Sequence, residues 1–363
     1  RRMANGTGGQ MAVMAVTSLY HAVNSSELAA NARWTNFMSE DITHAIEPLM
    51  ESAITGNRHR PPTHEGLTTA GGNIQFEANP NAIGIFMRSA FGQSSGTVLT
   101  QAGSWGVGSV SAQWSATRGV VRHTFLPRQD EFSSITFLPP IALMIYKDVG
   151  SAFMCDGTIV PSIEFQLEAK QLVKATANVM VRSPTRIGRS NSVAALRSPG
   201  GAPWVWDMSS IQAGPSLSSL AADPNFESMT IKYSTPMEGV VLLDGTKKHA
   251  EFQANGYQSA EISGTISFRD QLDYDSFIGW GNSALRVTMA NRRADMILGN
   301  PASAFYYTMD IIIPAMKYLT WTTPVRGPNR LTSQFTGVAE LDVNSNYVIQ
   351  IDVTNITSNY LGV

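Results

Sequence analysis

From about residue 70 onward, apolar and polar residues alternate along the chain, the period-two pattern of strands with one buried face. Ile74 and Phe76 alternate with Asn73, Gln75 and Glu77; Phe165 and Leu167 alternate with Glu164, Gln166 and Glu168. Val173, Ala175, Ala177, Val179 and Val181 extend the pattern, and Tyr347, Ile349, Ile351 and Val353 repeat it near the end. The reading is a mainly β chain. The first 60 residues are less regular, with one predicted helix where Ser25 or Ser26 would cap Leu28, Ala29, Ala32 and Arg33. Residues 92–119 and 183–224 are rich in Gly, Ser and Pro and read as long loops, which in a domain usually carry function or meet a partner.

The two halves echo one another. Gly72, Ile74 and Phe76 match Gly264, Ile266 and Phe268 in spacing, and each strand leads to a short helix-compatible segment. In the first, Asn79 is the expected cap and Pro80 the first helical residue, with Ile83, Phe86, Met87 and Ala90 buried. The second carries Tyr274, Phe277 and Ile278. Each half then offers a strand ending in proline, ITFLPP at 135–140 and DIIIPA at 310–315, and closes on a long strand, Val173–Val181 and Phe335–Val343.

Composition narrows the function. Of the 363 residues 43% are hydrophobic and 15% charged, below the usual quarter or so for a solvated domain, so part of the surface is expected to be covered by a partner. A formal net charge of -2 supplies no field to hold a phosphate backbone. Apolar runs such as Leu138–Tyr146 fall short of the ~18 residues a membrane helix needs, and Met11–Val16 is too short for a secretory signal.

Chemistry-bearing patterns are sparse. The single cysteine, Cys155, sits in a turn-like Met-Cys-Asp-Gly, and no serine lies in a Gly-x-Ser-x-Gly elbow. His59 and His64 lack a third ligand, and Gly6-Thr7-Gly8-Gly9 lacks the lysine of a phosphate loop. Acidic residues stand mostly at alternating strand positions, where a solvated face explains them. Trp204 and Trp206 are expected to pack at a domain or subunit seam rather than to stack a sugar or base. Arg182, Arg186, Arg189 and Arg197 lie in a stretch without acids, suited to nucleic acid or to an acidic patch on a neighbouring subunit.

Residues 46–92, IEPLMESAITGNRHRPPTHEGLTTAGGNIQFEANPNAIGIFMRSAFG, resemble the tail tube proteins of long-tailed bacteriophages, of the large two-half type. The resemblance lies in a Pro-containing acidic run, a Gly-Asn-Arg turn, a Gly before an alternating strand, and a short helix ending near a Gly. CDGTIVPSIEFQLEAKQLVKATANVMVRS, SAEISGTISFRDQLDYDSFIGWG and NYVIQIDVTN look like the same group, so the likeness reaches most of the chain from about residue 40. Another virion β-sandwich, of baseplate or capsid decoration, and a carbohydrate-binding β protein are the alternatives.

The resemblance implies two similar β-sandwich or half-barrel tube domains, each with a flanking helix, assembling into a ring around a continuous β-lined lumen. The division expected is an arm at 1–45, a first tube domain at 46–182, a linker at 183–224 and a second tube domain at 225–363. It implies a non-enzymatic subunit without cofactor or metal, built into the virion tail in the host cytoplasm. Its partners would be itself, the tape measure, terminator and baseplate proteins, and viral DNA in unspecific transit. Six tube domains around the lumen would need three chains, with pseudo-sixfold symmetry, or six chains if both halves form one domain. Glu77, Glu164, Glu168, Glu340, Gln350 and Asp352 are candidates to face the lumen, and Arg182, Arg186, Arg189 and Arg197 to reach the next subunit or ring.

Overall fold

The computed structural model describes residues 9–23, 27, 31–50, 59, 62–98, 120–129, 138–147, 151–187, 202–269, 272–290, 296–298, 305–325 and 330–356. In chain order the first part holds β1 (Gln10–Ala15), β2 (Arg33–Thr35), β3 (Phe37–Glu40), β4 (Thr43–Met50), β5 (Thr63–Glu77), α1 (Ile83–Phe91), β6 (Gly92–Val98), β7 (Val121–Pro127), β8 (Ile141–Tyr146), β9 (Ala152–Glu168) and β10 (Lys174–Ile187). Then come β11 (Ser209–Gly214), β12 (Ala221–Ala222), β13 (Phe226–Ser234), β14 (Met237–Val240), β15 (Glu251–Ala254), β16 (Ser259–Ser267) and α2 (Leu272–Ile278). The last are β17 (Ser283–Ala290), β18 (Met296–Leu298), β19 (Phe305–Tyr306), β20 (Thr308–Thr322), β21 (Thr332–Ala339) and β22 (Gln350–Asn355). Among the described residues all pairings are antiparallel and the sheet does not close into a barrel, giving a mainly β, sandwich-class fold.

Hydrogen-bonded neighbours trace an eight-stranded ribbon in the order β4, β5, β10, β9, β13, β16, β21, β20. It consists of one four-strand order used twice. Numbered along the chain, each group of four is arranged first, second, fourth, third, and a helix follows the second strand in both.

The registers agree residue by residue. Thr43 opposite Gly71 corresponds to Lys232 opposite Glu261, and Ala175 opposite Phe76 corresponds to Ser333 opposite Ile266. Two β-bulges recur as well. The ladder skips a residue between Phe37 and Ser39 and again between Phe226 and Ser228. On the other side, Ser162 to Ile159 pass two residues of β10, and Thr320 to Lys317 pass two of β21.

Further strands form the facing layer. One run is β2, β1, β8 and the start of β9; the other is β6, β7, β22, the start of β20, β17, β11 and β12. β9 and β20 therefore belong to both layers, changing partners near Pro161 and Pro314. Proline lacks the N–H a central ladder needs, and strand switching between sheets is where such a residue fits.

The core lies between the layers. Ile74, Phe76, Ile163, Phe165, Ile231, Tyr233, Ile262, Tyr318 and Phe335 point into it from the ribbon, each large side chain worth about 1.5–3 kcal/mol when fully buried. Phe86 of α1 stacks on Phe76 at 4.6 Å between centroids, and Phe91 on Tyr233 at 4.3 Å, so the first helix also contacts the second half. Trp204 is fully buried, its Nε1–H donating to the Tyr307 carbonyl at 3.2 Å, whereas Trp206, expected to pack with it, is exposed.

Several expectations shift. α1 begins at Ile83 with Ala82 as its cap, while Asn79 and Pro80 form a preceding turn in which the Asn79 side chain accepts from the Asn81 N–H. Met11 to Ala15, read as irregular, are a buried core strand, and Arg33 is in a strand rather than a helix; Ser25, Ser26, Leu28 and Ala29 lie outside the described residues. The two supposed loops contain strands: residues 92–98 form β6, β10 runs on to Ile187, and β11 pairs with β17. A strand begins at Ile141, after Pro140, while Ile135 to Phe137 of the expected strand lie outside the described residues; β20 runs through Pro314, and β21 stops at Ala339.

Candidate assembly and channel surface

Because side chains alternate, burying one face of the ribbon leaves the other to polar residues. Rows of directly opposed residues cross it. One reads Gln75, Thr176, Glu164, Lys232, Glu261, Val338, Lys317, and the next Glu77, Lys174, Gln166, Thr230, Ser263, Thr336, Thr320. Each lysine is opposed on at least one side by a glutamate, a hydroxyl, an amide or a valine, and neutral Ser, Thr, Asn and Gln outnumber charges. Short contacts tie the rows: Gln166 donates to Glu164 at 2.6 Å, Asn178 to Asn73 at 2.9 Å, and Thr320 and Thr336 share a hydrogen bond at 2.6 Å.

Of the residues singled out in the sequence, Glu77, Glu164 and Glu168 stand on this open face, and Glu340 follows β21 in the same alternation, exposed. Gln350 and Asp352 lie elsewhere, on β22 in the facing layer. Asp352 is 2% exposed; Arg122 and Thr124 on β7 and Gln350 donate to its carboxylate. Directly opposite it, Asp310 on β20 is bound by Arg286 and Thr288 of β17. Burial pushes the Asp310 carboxyl above the ordinary carboxylate range, and the Asp352 charge adds to that against Thr288 and Arg286.

The arginines divide too. Arg182 is held within the chain, stacked over the Tyr20 ring at 4.2 Å and donating from Nε to the His249 carbonyl at 2.8 Å. Arg186 is exposed and lies over Phe153 at 5.5 Å. Arg189 and Arg197 fall outside the described residues.

The ribbon's end strands each have one strand neighbour over the stretches that matter. β4 pairs with β5 alone, and all eight of its residues are exposed, including Ile46, Leu49 and Met50. At the other end residues 317–322 of β20 pair with β21 alone, with Leu319 and Thr320 exposed. A second apolar projection is the turn of the β14–β15 hairpin, where Leu243 is fully exposed beside Val241 and Leu242.

Cys155 is inside β9 rather than in a turn. Burial first, then Asp156 and Glu40, pushes its thiol up to about 12, which keeps it protonated at neutral pH. The described residues contain no group of three or more His, Cys, Asp or Glu placed to hold a metal, and no described helix is long and apolar enough to cross a membrane.

The described residues define an antiparallel, sandwich-class β protein with an open polar ribbon face. The model of the family described as phage tail tube protein matches residues 9–344, and the chain belongs to that family. It is a structural subunit of a phage tail tube in the virion, and tail tube membership entails self-assembly with other tail proteins. No curated protein matches it.

Proposed function

We propose that three chains close one ring with pseudo-sixfold symmetry, each supplying two four-stranded tube units, and that rings stack into the channel through which viral DNA passes. The observation that carries this is the repeated strand order, in register and with both bulges in place, running unbroken across the two halves. A ribbon that already repeats once within a chain continues by adding the next chain in the same way, and closure removes the exposed edges.

In this reading the polar face lines the channel. Glu77, Glu164, Glu168 and Glu340 face the DNA among hydroxyls and amides, and Lys174, Lys232 and Lys317 are too few and too mixed with acids to hold phosphates. The exposed Arg186 and the stretch beyond it meet the next subunit or ring. Assembly takes place in the host cytoplasm, with tape measure, terminator and baseplate proteins at the core and ends of the tube.

Averaged end-on images of purified tubes test the stoichiometry. A strong sixfold component at low resolution, modulated by a weaker true threefold one, is expected. A true sixfold repeat of the whole 39.3 kDa chain would sink the three-chain ring and leave family membership untouched.

A further inference from the structure

We infer that neighbouring chains join through one particular strand pair in one register: residues 40–45 of one copy against 320–325 of the next, antiparallel. The inference rests on the ring reading above and goes on to name its joint. Within the chain, the two groups of four meet where β9 pairs with β13: Glu164 opposite Lys232, Ile163 opposite Tyr233, Ser162 opposite Ser234. The internal repeat gives each of these residues a counterpart at a free end. Lys232, Tyr233 and Ser234 correspond to Thr43, His44 and Ala45, because both sets face equivalent residues, Gly71 with Glu261 and Ala70 with Ala260. Glu164, Ile163 and Ser162 correspond to Thr322, Trp321 and Thr320, because Thr176 faces Glu164 as Gln334 faces Thr322, and the bulges coincide.

The joint therefore places Thr43 against Thr322, His44 against Trp321 and Ala45 against Thr320. Its chemistry suits a second copy of this chain. Facing threonines are a favourable cross-strand pair, both strands lack a second strand neighbour there, and no like charges meet. Pro324, which has no N–H, falls at the end of the ladder opposite Asp41. The same correspondence accounts for exposed apolar residues. Within the chain, the β14–β15 hairpin packs on the first half, with Lys247 bonded to Glu65, the Thr68 N–H to the Lys247 carbonyl, and Phe252 buried with Leu19. The β4–β5 hairpin of the next copy would pack likewise on the second half, which covers Ile46, Leu49 and Met50.

Paired cysteines test the register. Thr43 and Thr322 stand at opposite ends of one chain's ribbon, seven strand spacings or roughly 33 Å apart, so any link between them is between chains. The Thr43→Cys, Thr322→Cys variant, treated after assembly with a thiol cross-linker reaching about 5 Å, should run on denaturing gels as dimer and closed trimer. The native Cys155 is buried, and the out-of-register pair Leu49→Cys, Thr322→Cys should stay monomeric. Rings that form yet link equally in both variants, or in neither, overturn the joint and leave the ring intact; wild-type protein that makes no threefold rings overturns the ring itself. Should the cysteine variant not assemble, amide exchange of the wild type decides. Residues 40–45 and 320–325 slowing together by more than about tenfold on assembly supports the joint, and unchanged exchange overturns it.

Discussion

Ile74 faces Ala177 in the first group of four strands, and at the equivalent place in the second Gly264 faces Phe335. The large and small partners have changed strands while the pair fills the same slot, which is how two dissimilar sequences share one register. Gly264 is held to glycine by a second contact: an added Cβ would lie 2.5 Å from the Ser228 carbonyl oxygen as well as 3.0 Å from the Phe335 ring. Gly264→Ala should therefore lower stability by about 1–3 kcal/mol in denaturant titration, and adding Phe335→Ala should not restore it, because the carbonyl does not move aside. Asp310 makes a prediction of different kind. Its carboxyl is raised in the folded chain, so that state binds a proton more readily than the unfolded one, and the group's contribution falls as pH rises from the ordinary Asp value through the raised one. Thermal unfolding of wild type and Asp310→Asn across that window should show the difference moving in favour of the asparagine variant as pH rises.

At the scale of elements, the β14–β15 hairpin shows how a strand pair outside the main sheet is secured. Arg182 reaches it from β10, through its stack on Tyr20 and its bond to His249. Arg182→Ala should raise amide exchange across residues 237–254 several-fold, with little change in β9 or β13; equal acceleration everywhere would mean that Arg182 supports the whole fold. The elements also divide by how plainly the sequence announces them. Val173 to Val181 and Ile163 to Leu167 alternate because one side is core and the other open, and the helix burying Ile83, Phe86, Met87 and Ala90 carries its own period. β1 and β8 are buried on both sides, so Met11–Ala15 and Ile141–Tyr146 have no alternation to read, and β1 passes for an irregular arm. The repeat is legible, but its register is not. Gly72 matches Gly264 in sequence, while the ladder aligns Gly264 with Ile74, two residues away. An even slip keeps every side chain on its own face, so the pattern alone cannot reveal it. DIIIPA resembles ITFLPP in sequence, but the strand in β20's place in the first group is β9, which carries its own proline, Pro161. Asp352 escapes the sequence for another cause: its partners Arg122 and Thr124 lie far away along the chain, and a buried, paired carboxylate looks like any other at an alternating position.

For the whole molecule, in the proposed ring the open face would set the terms on which DNA is handled. A wall of hydroxyls and amides with charges of both signs interleaved would offer phosphates neither a trap nor a strong barrier. Thr230, Ser263 and Thr336 lie side by side in one row, so the combined Thr230→Lys, Ser263→Lys, Thr336→Lys variant would place a band of positive charge around each ring. Tubes of this variant should still form, and should retain short duplex DNA at about 50 mM salt and release it near 200 mM; wild-type tubes should retain none at either. Retention by the wild type would mean that the channel is lined by some other surface.

β9 and β20 each run through both layers of the sandwich without a break in the backbone, turning at Pro161 and Pro314. In mechanical terms the layers are stitched as well as glued. Two sheets held only by interlocking side chains can slide over one another when a rod is bent, since sliding merely exchanges one set of apolar neighbours for another. Here such sliding would have to stretch covalent main chain in β9, in β10 paired along it, and in β20 of every subunit, so bending loads travel along peptide bonds, and a long thin tube gains stiffness without any thicker wall.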